Sequence, residues 1–232
     1  MSTVAAKLEE VGKKLTAAAH KSGRQPESIK LVAVTKTVGV PRIIEALEAG
    51  VLNIGENRIQ EAKLKHPELI SHKVVWHMIG HLQTNKVRDA VKMFDVIHSV
   101  DSLRLAVEIN KEASKNSKVI SCLIEINSGS EISKYGMQFE EVSTFLRSTI
   151  DLEHIRFEGL MTVAPIMENP EYVRPFFRKM KVLFEQIKAM QESISPNIVF
   201  NQLSMGMSQD YETAIEEGAT MVRIGSAIFG NR

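Results

Sequence analysis

Cysteine occurs once in the 232 residues, as Cys122, so no internal disulfide can form. It sits in an apolar run, which fits a reducing compartment and a buried thiol without redox work. Charge of one sign is missing too. The formal net charge is +1, without the basic stripe a dedicated nucleic-acid binder carries. No apolar run approaches a membrane span, and the N-terminal residues lack the apolar core of a signal peptide. The expectation is a cytoplasmic protein with neither nucleic-acid nor membrane partners. Metal-ligand clusters are sparse. His77 and His81 stand in a strand and its turn, where their spacing does not place two imidazoles on one face, and no carboxylate is adjacent.

What the chain does contain is alternation. Residues 3–20 read as an amphipathic helix, with Val4, Leu8, Val11, Leu15 and Ala18 at three- and four-residue spacing. Short β-branched or apolar runs then recur at Leu31–Lys36, Val51–Gly55, Val74–Gly80, Phe94–Val100, Val119–Asn127, Ile155–Val163, Ile198–Leu203 and Ala219–Ile224. Helical patterns separate them, among them 41–49, 56–65 stopped by Pro67, and a long one from Tyr172 to about Gln191 carrying Phe176, Met180, Leu183, Ile187 and Met190. Eight strand–helix units in this length predict a (β/α)8 TIM barrel, an α/β fold spanning 1–232 as a single domain. The N-terminal helix, 3–20, would pack on the barrel exterior. A doubly wound open sheet is the alternative, weakened by the missing glycine-rich fingerprint after the first strand.

Barrels of this kind place their sites at the C-terminal strand ends, often with a phosphate site after strands seven and eight. Two glycine- and serine-bearing stretches fall there: Leu203-Ser-Met-Gly-Met-Ser208 and Arg223-Ile-Gly-Ser-Ala-Ile-Phe-Gly230. Their backbone amides suit a phosphate cradle, with residues 226–229 long enough for a short helix. Lys36 ends the first strand on the same side as Val32 and Val34, which would bring its amine to the barrel mouth. A lysine there can capture an aldehyde as a Schiff base. Arg223 shares a face with Met221 and either points into the barrel or packs under the helices. Inside, it would need a partner or a ligand.

These residues resemble a known group. Ala33-Val-Thr-Lys-Thr37, Gly55-Glu-Asn57, Trp76-His-Met-Ile-Gly-His-Leu-Gln-Thr-Asn-Lys86, Gly159-Leu-Met-Thr162 and the two C-terminal motifs are similar, in this order, to the YggS/PROSC family of pyridoxal phosphate homeostasis proteins. The resemblance implies an alanine-racemase-type barrel, fold type III among pyridoxal phosphate proteins. It implies that Lys36 carries the cofactor as an aldimine and that Ser204, Gly225 and Ser226 hold the phosphate. Arg223 would face the ring nitrogen or a nearby phosphate oxygen, and Asn57 would line the pocket. His81 departs from the family pattern, where many relatives have proline, and so does the Asn231-Arg232 ending.

Two functions of different class follow. A carrier would bind pyridoxal 5'-phosphate reversibly and buffer or deliver it to apo-enzymes that depend on it. An enzyme of the same fold would be a racemase or decarboxylase, and racemisation needs an acid/base on each face of the substrate carbon, of which Lys36 can serve one. The three tyrosines, Tyr135, Tyr172 and Tyr211, read as loop or helix-start residues rather than the second such group. The carrier is the preferred reading, as a monomer or weak dimer. A barrel enzyme acting on a sugar phosphate is the third possibility.

Overall fold

The computed structural model describes residues 3–129, 135–165 and 167–230. Eight parallel strands close into a barrel in chain order: β1 (Lys30–Val34), β2 (Asn53–Glu56), β3 (Val75–Met78), β4 (Val96–Val100), β5 (Ile120–Ile126), β6 (Ile155–Thr162), β7 (Ile198–Ser204) and β8 (Met221–Ile224). Since β1 pairs with both β2 and β8, the sheet has no free edge and the open-sheet alternative is excluded. Helices α2 (Val40–Glu48), α3 (Ile59–Leu69), α4 (Val87–Met93), α5 (Leu103–Lys115), α6 (Val142–Arg147), α7 (Arg174–Ile194) and α8 (Tyr211–Glu216) follow successive strands outside the barrel. Helix α1 (Val4–Lys21), capped by Thr3, packs against α2, α8 and the terminal turn α9 (Ser226–Phe229).

Two layers of burial result from strand alternation. Ala33, Ile54, Trp76, Ile97, Ile124, Leu160, Leu203 and Val222 point outward and join Ile43, Ala62, Ile109 and Phe177 of the helices in one apolar shell. The inward positions are different in kind. Beside Val32, Leu123 and Met161 they include His77, His98, Ser204 and Arg223, all buried. A barrel interior is ordinarily filled by branched apolar residues, so a polar column here calls for its own hydrogen bonds. The ladders are uneven. β5 and β6 pair from Ile120↔Ile155 to Ile126↔Thr162, whereas β7 and β8 share only Ser204↔Met221. At Gly159 (φ 155°) an added Cβ would lie 1.7 Å from the Gln202 carbonyl oxygen, so only glycine allows β6 this close to β7.

Some boundaries differ from the sequence pattern. The first strand ends at Val34, not Lys36, because Thr35 and Thr37 are drawn into contacts described below. Helix α3 runs through Pro67 to Leu69. The proline stands in its last turn, where few backbone bonds follow it, and Leu69 beyond it is fully buried. On α7 the stripe is Phe177, Met180, Leu183, Phe184 and Ile187, so Phe177 takes the core position expected for Phe176.

Candidate functional site

The turn after β1 is tied down from beneath by a buried ionic cluster. Thr35 donates its hydroxyl to Glu56 Oε1 at 2.6 Å, and Lys65 Nζ donates to the same oxygen at 2.7 Å and to the Thr35 carbonyl at 2.8 Å. Glu61 Oε2 accepts the Thr37 amide at 2.6 Å and lies 3.3 Å from Lys65 Nζ. Thr37 adopts a left-handed φ of 60°, a conformation uncommon for a β-branched residue that its surroundings must hold. The residue between these two anchored threonines is Lys36. Its side chain is exposed toward a cavity and makes no hydrogen bond or ion pair with any described residue.

That cavity, about 560 Å³, opens at the C-terminal ends of the strands. Lys36, Asn57, Arg223, Gly225 and Ser226 all line it, together with Ser208 and Asp210. Its volume lies in the range of ordinary small-molecule sites. Val34, Ile79 and Met207 give it apolar surface, and Val163, Ala164, Pro165 and Met167 form a further apolar stretch after β6. On the far side from Lys36 in sequence, two turns meet. The Ser208 hydroxyl oxygen accepts from the amides of Gly225, at 3.2 Å, and Ala227, at 3.3 Å. The turn that carries Ser208 is fixed by Asp210 Oδ1, which accepts the Met207 amide at 2.5 Å. Two backbone donors thus converge on the Ser208 hydroxyl oxygen, whose own hydrogen is left to face the cavity wall, and an anion would gain the two amides only by taking the place of that oxygen.

Arg223 points into the barrel. Nη1 donates to the Ser204 carbonyl at 2.9 Å and to Ser204 Oγ at 2.7 Å, and Nη2 donates to the Thr162 carbonyl at 2.8 Å. Three of its five N–H groups are used, leaving two for the cavity it lines. Burial brings its pKa down to about 10, with Glu125 and Asp210 opposing, so it stays charged at neutral pH. Asn57 also faces the cavity, and its buried Oδ1 has no hydrogen-bond partner among the described residues.

Five of the six expected positions therefore meet in one cavity. Ser204 does not reach the wall: it is fully buried beneath Arg223, and its hydroxyl is taken up by Arg223 and His98. Ser208, four residues on and inside the same quoted motif, holds the exposed turn instead. Alternation along β7 carries the distinction, since Ser204 still belongs to the strand and Ser208 does not. His77 lies in the barrel interior while His81 sits outside it, stacked on Tyr135 with ring centroids 3.6 Å apart and 3.4 Å from Asp101. The Asn231-Arg232 ending lies outside the described residues.

Glu125, inward on β5, has an Oε2 without a partner among the described residues, and burial pushes its carboxyl up to about 7, with Asp101 adding to the effect and Arg223 opposing it. A raised carboxyl pKa means that the folded chain binds a proton the unfolded chain has released. Stability attributable to Glu125 is present below pH 4.5 and is lost as pH rises toward 7. Glu125→Gln, which cannot ionise, should therefore stabilise by roughly 1–3 kcal/mol at pH 8 and by much less at pH 5. Urea unfolding at the two pH values checks this. An equal gain at both would show that Glu125 is ionised in the fold.

Comparison with known proteins places this geometry. Residues 11–232 match the family described as alanine racemase, N-terminal domain. The pyridoxal phosphate homeostasis protein of Aquifex aeolicus (strain VF5) is 42% identical over 226 residues, covering 97% of both chains. That of Escherichia coli (strain K12) is 41% identical over 237 residues, covering 100% of this chain and 98% of its own. Among solved structures, PipY of Synechococcus elongatus with PLP bound matches with a TM-score of 0.84 at 30% identity, over 98% of this chain and 100% of PipY. An alanine racemase from Streptomyces lavendulae, 18% identical, shares the fold with a TM-score of 0.71 over 99% of this chain and 57% of its own. The chain thus belongs to the alanine racemase N-terminal domain family and, within it, to the pyridoxal phosphate homeostasis proteins.

Proposed function

We propose that this chain binds pyridoxal 5'-phosphate reversibly through Lys36 and buffers or delivers it, without efficient turnover of a substrate of its own. The observation that carries the reading is the convergence of Lys36, Asn57, Arg223, Gly225 and Ser226 on one cavity. The residues suit the group. A lysine amine matches an aldehyde, the turn of Ser208, Gly225 and Ser226 suits a phosphate, and the charged donor Arg223 would suit a ring nitrogen as acceptor. The unpartnered Asn57 oxygen awaits a donor such as a ring hydroxyl. Bound pyridoxal phosphate supplies the aldehyde for a reversible covalent bond and a ring able to stabilise carbanions.

The carrier is favoured over a racemase because the described lining residues include neither tyrosine nor histidine as a second acid/base. Arg223 adds to this: a guanidinium at the ring nitrogen keeps it unprotonated and makes the ring a weaker electron sink. Transfer to apo-enzymes and a monomeric or weakly dimeric state belong to the same proposal, as does a cytoplasmic location. Among the described residues no helix is long and apolar enough to cross a membrane.

The test begins with the spectrum of freshly purified protein. A yellow preparation that bleaches with borohydride supports the proposal, whereas a colourless one that takes up no pyridoxal phosphate sinks it. Incubation with a panel of amino acids then separates carrier from enzyme, since sustained stereoinversion or carbon dioxide release would mark an enzyme. Arg223→Gln should weaken pyridoxal phosphate binding by about tenfold or more and shift the bound spectrum. Equilibrium titration followed by absorbance checks it, and an unchanged spectrum and affinity would remove Arg223 from the site.

A further inference from the structure

The polar column inside the barrel is continuous. Arg223 Nη1 lies 2.7 Å from Ser204 Oγ, Ser204 Oγ lies 3.2 Å from His98 Nδ1, and His98 Nε2 lies 2.8 Å from His77 Nδ1. His77 Nε2 ends the run 3.1 Å from Asn53 Oδ1. The five residues come from β8, β7, β4, β3 and β2, so the chain crosses the barrel from the cavity floor toward the N-terminal end. His77, His98 and Ser204 are fully buried.

Donor counting fixes the direction. Arginine only donates, so Ser204 Oγ accepts from Arg223 and has one hydrogen to give, with His98 Nδ1 as its acceptor. His98 must then carry its proton on Nε2 and donate to His77 Nδ1, and His77 must donate from Nε2 to Asn53. Reversing the run makes Ser204 Oγ accept from both Arg223 and His98, and strands its own hydrogen in a dry core. That arrangement is the costlier one. Charging His77 puts its Nδ1–H against the Nε2–H of His98, charging His98 turns its Nδ1–H onto Ser204 and strands the hydroxyl hydrogen, and burial holds both histidines uncharged: His77 is brought down to about 3, and His98 falls well below its ordinary range.

We propose that Ser204, His98 and His77 are positioning residues, a one-way hydrogen-bond chain that pins the Arg223 guanidinium and aims its two remaining N–H groups at the ring of the bound molecule. The inference rests on the pyridoxal phosphate reading of the cavity. It departs from a phosphate role for Ser204, because a hydroxyl beneath Arg223 can affect the ligand only through the guanidinium.

The first test needs no ligand. In cofactor-free, ¹⁵N-labelled protein, long-range ¹⁵N–¹H spectra should show His77 and His98 as neutral Nε2–H tautomers between about pH 6 and 8. An Nδ1–H tautomer or an imidazolium at either position overturns the chain. The second test uses Ser204→Ala, which removes one oxygen with little change of volume, and two probes. Pyridoxal phosphate affinity should fall about tenfold while that for glycolaldehyde phosphate, which has aldehyde and phosphate but no pyridine, should stay constant. Equal loss for both probes would return Ser204 to the phosphate, and no loss for either would leave the chain a packing feature. Both results overturn the proposal. His98→Gln, with an acceptor and a donor on one amide, should keep more ring-specific affinity than His98→Leu. Wild-type protein that binds no pyridoxal phosphate would instead defeat the functional reading, while the tautomers would still be read on their own terms.

Discussion

Lys36→Ala should give a folded protein with no covalent chromophore. The side chain is exposed at the cavity mouth and has no partner among the described residues, so removing it breaks no interaction with them. Surface changes of that kind leave stability within about 0.5 kcal/mol. The conformation of the turn does not depend on it either, since Thr35 and Thr37 on each side are held by Lys65, Glu56 and Glu61. The chemical effect is by contrast complete, because no other described lysine lines the cavity. Borohydride treatment of wild-type protein loaded with pyridoxal phosphate, followed by intact mass, should add one reduced cofactor. Lys36→Ala should add none, and Lys36→Arg should behave in the same way despite its charge. A reduced adduct on the alanine variant would show that a different lysine forms the bond.

The second large effect is expected at Lys65, which lies on the outer side of the barrel wall and touches no ligand position. Glu56 is fully buried, its Oε2 has no partner among the described residues, and burial raises its carboxyl pKa against the opposing pull of Lys65 and Thr35. Lys65→Met leaves that carboxylate without its cation. Breaking one half of a buried pair destabilises by about 3–5 kcal/mol. The loss should be larger at pH 8 than at pH 5, because the orphaned carboxyl can take up a proton at the lower pH. Adding Glu56→Gln to Lys65→Met should restore more than half of it, since the buried charge is then gone on both sides. Urea unfolding of the single and double variants decides the matter. A single variant within about 1 kcal/mol of wild type would mean that the cluster is solvated in solution.

The same cluster marks how far the sequence could be read. Eight strands were legible because each is a short apolar run between helical patterns, and their closure into a barrel follows from unit number and length. The cavity was legible in outline, since Lys36, Arg223, Gly225 and Ser226 all stand at or near strand ends. What local pattern could not supply were contacts set by strand register. Glu56 and Lys65 read as the two ends of one helix, whereas Glu56 ends β2 and faces Lys65 across the strand–helix layer. His98 lies within the Phe94–Val100 run without any motif or spacing that marks it. It meets His77 because both point inward from the adjacent strands β3 and β4. Ser204 looked like a cradle residue through its neighbours in the motif, yet its place on the inward face of β7 gave it to Arg223.

The uneven ladders described above have a consequence for the free protein. The barrel is stapled least between β7 and β8, and the two turns that line the cavity spring from this seam. Bonds outside the ladder bridge it instead, among them Met205 amide to Met221 carbonyl, Arg223 amide to Gly206 carbonyl, the Arg223–Ser204 contacts and the Gly225 and Ala227 amides to the Ser208 hydroxyl. An anion seated between the turns would act as one more rivet across a joint whose own ladder is short. A guest that binds only the closed wall would stabilise it by mass action, so affinity and closure rise together.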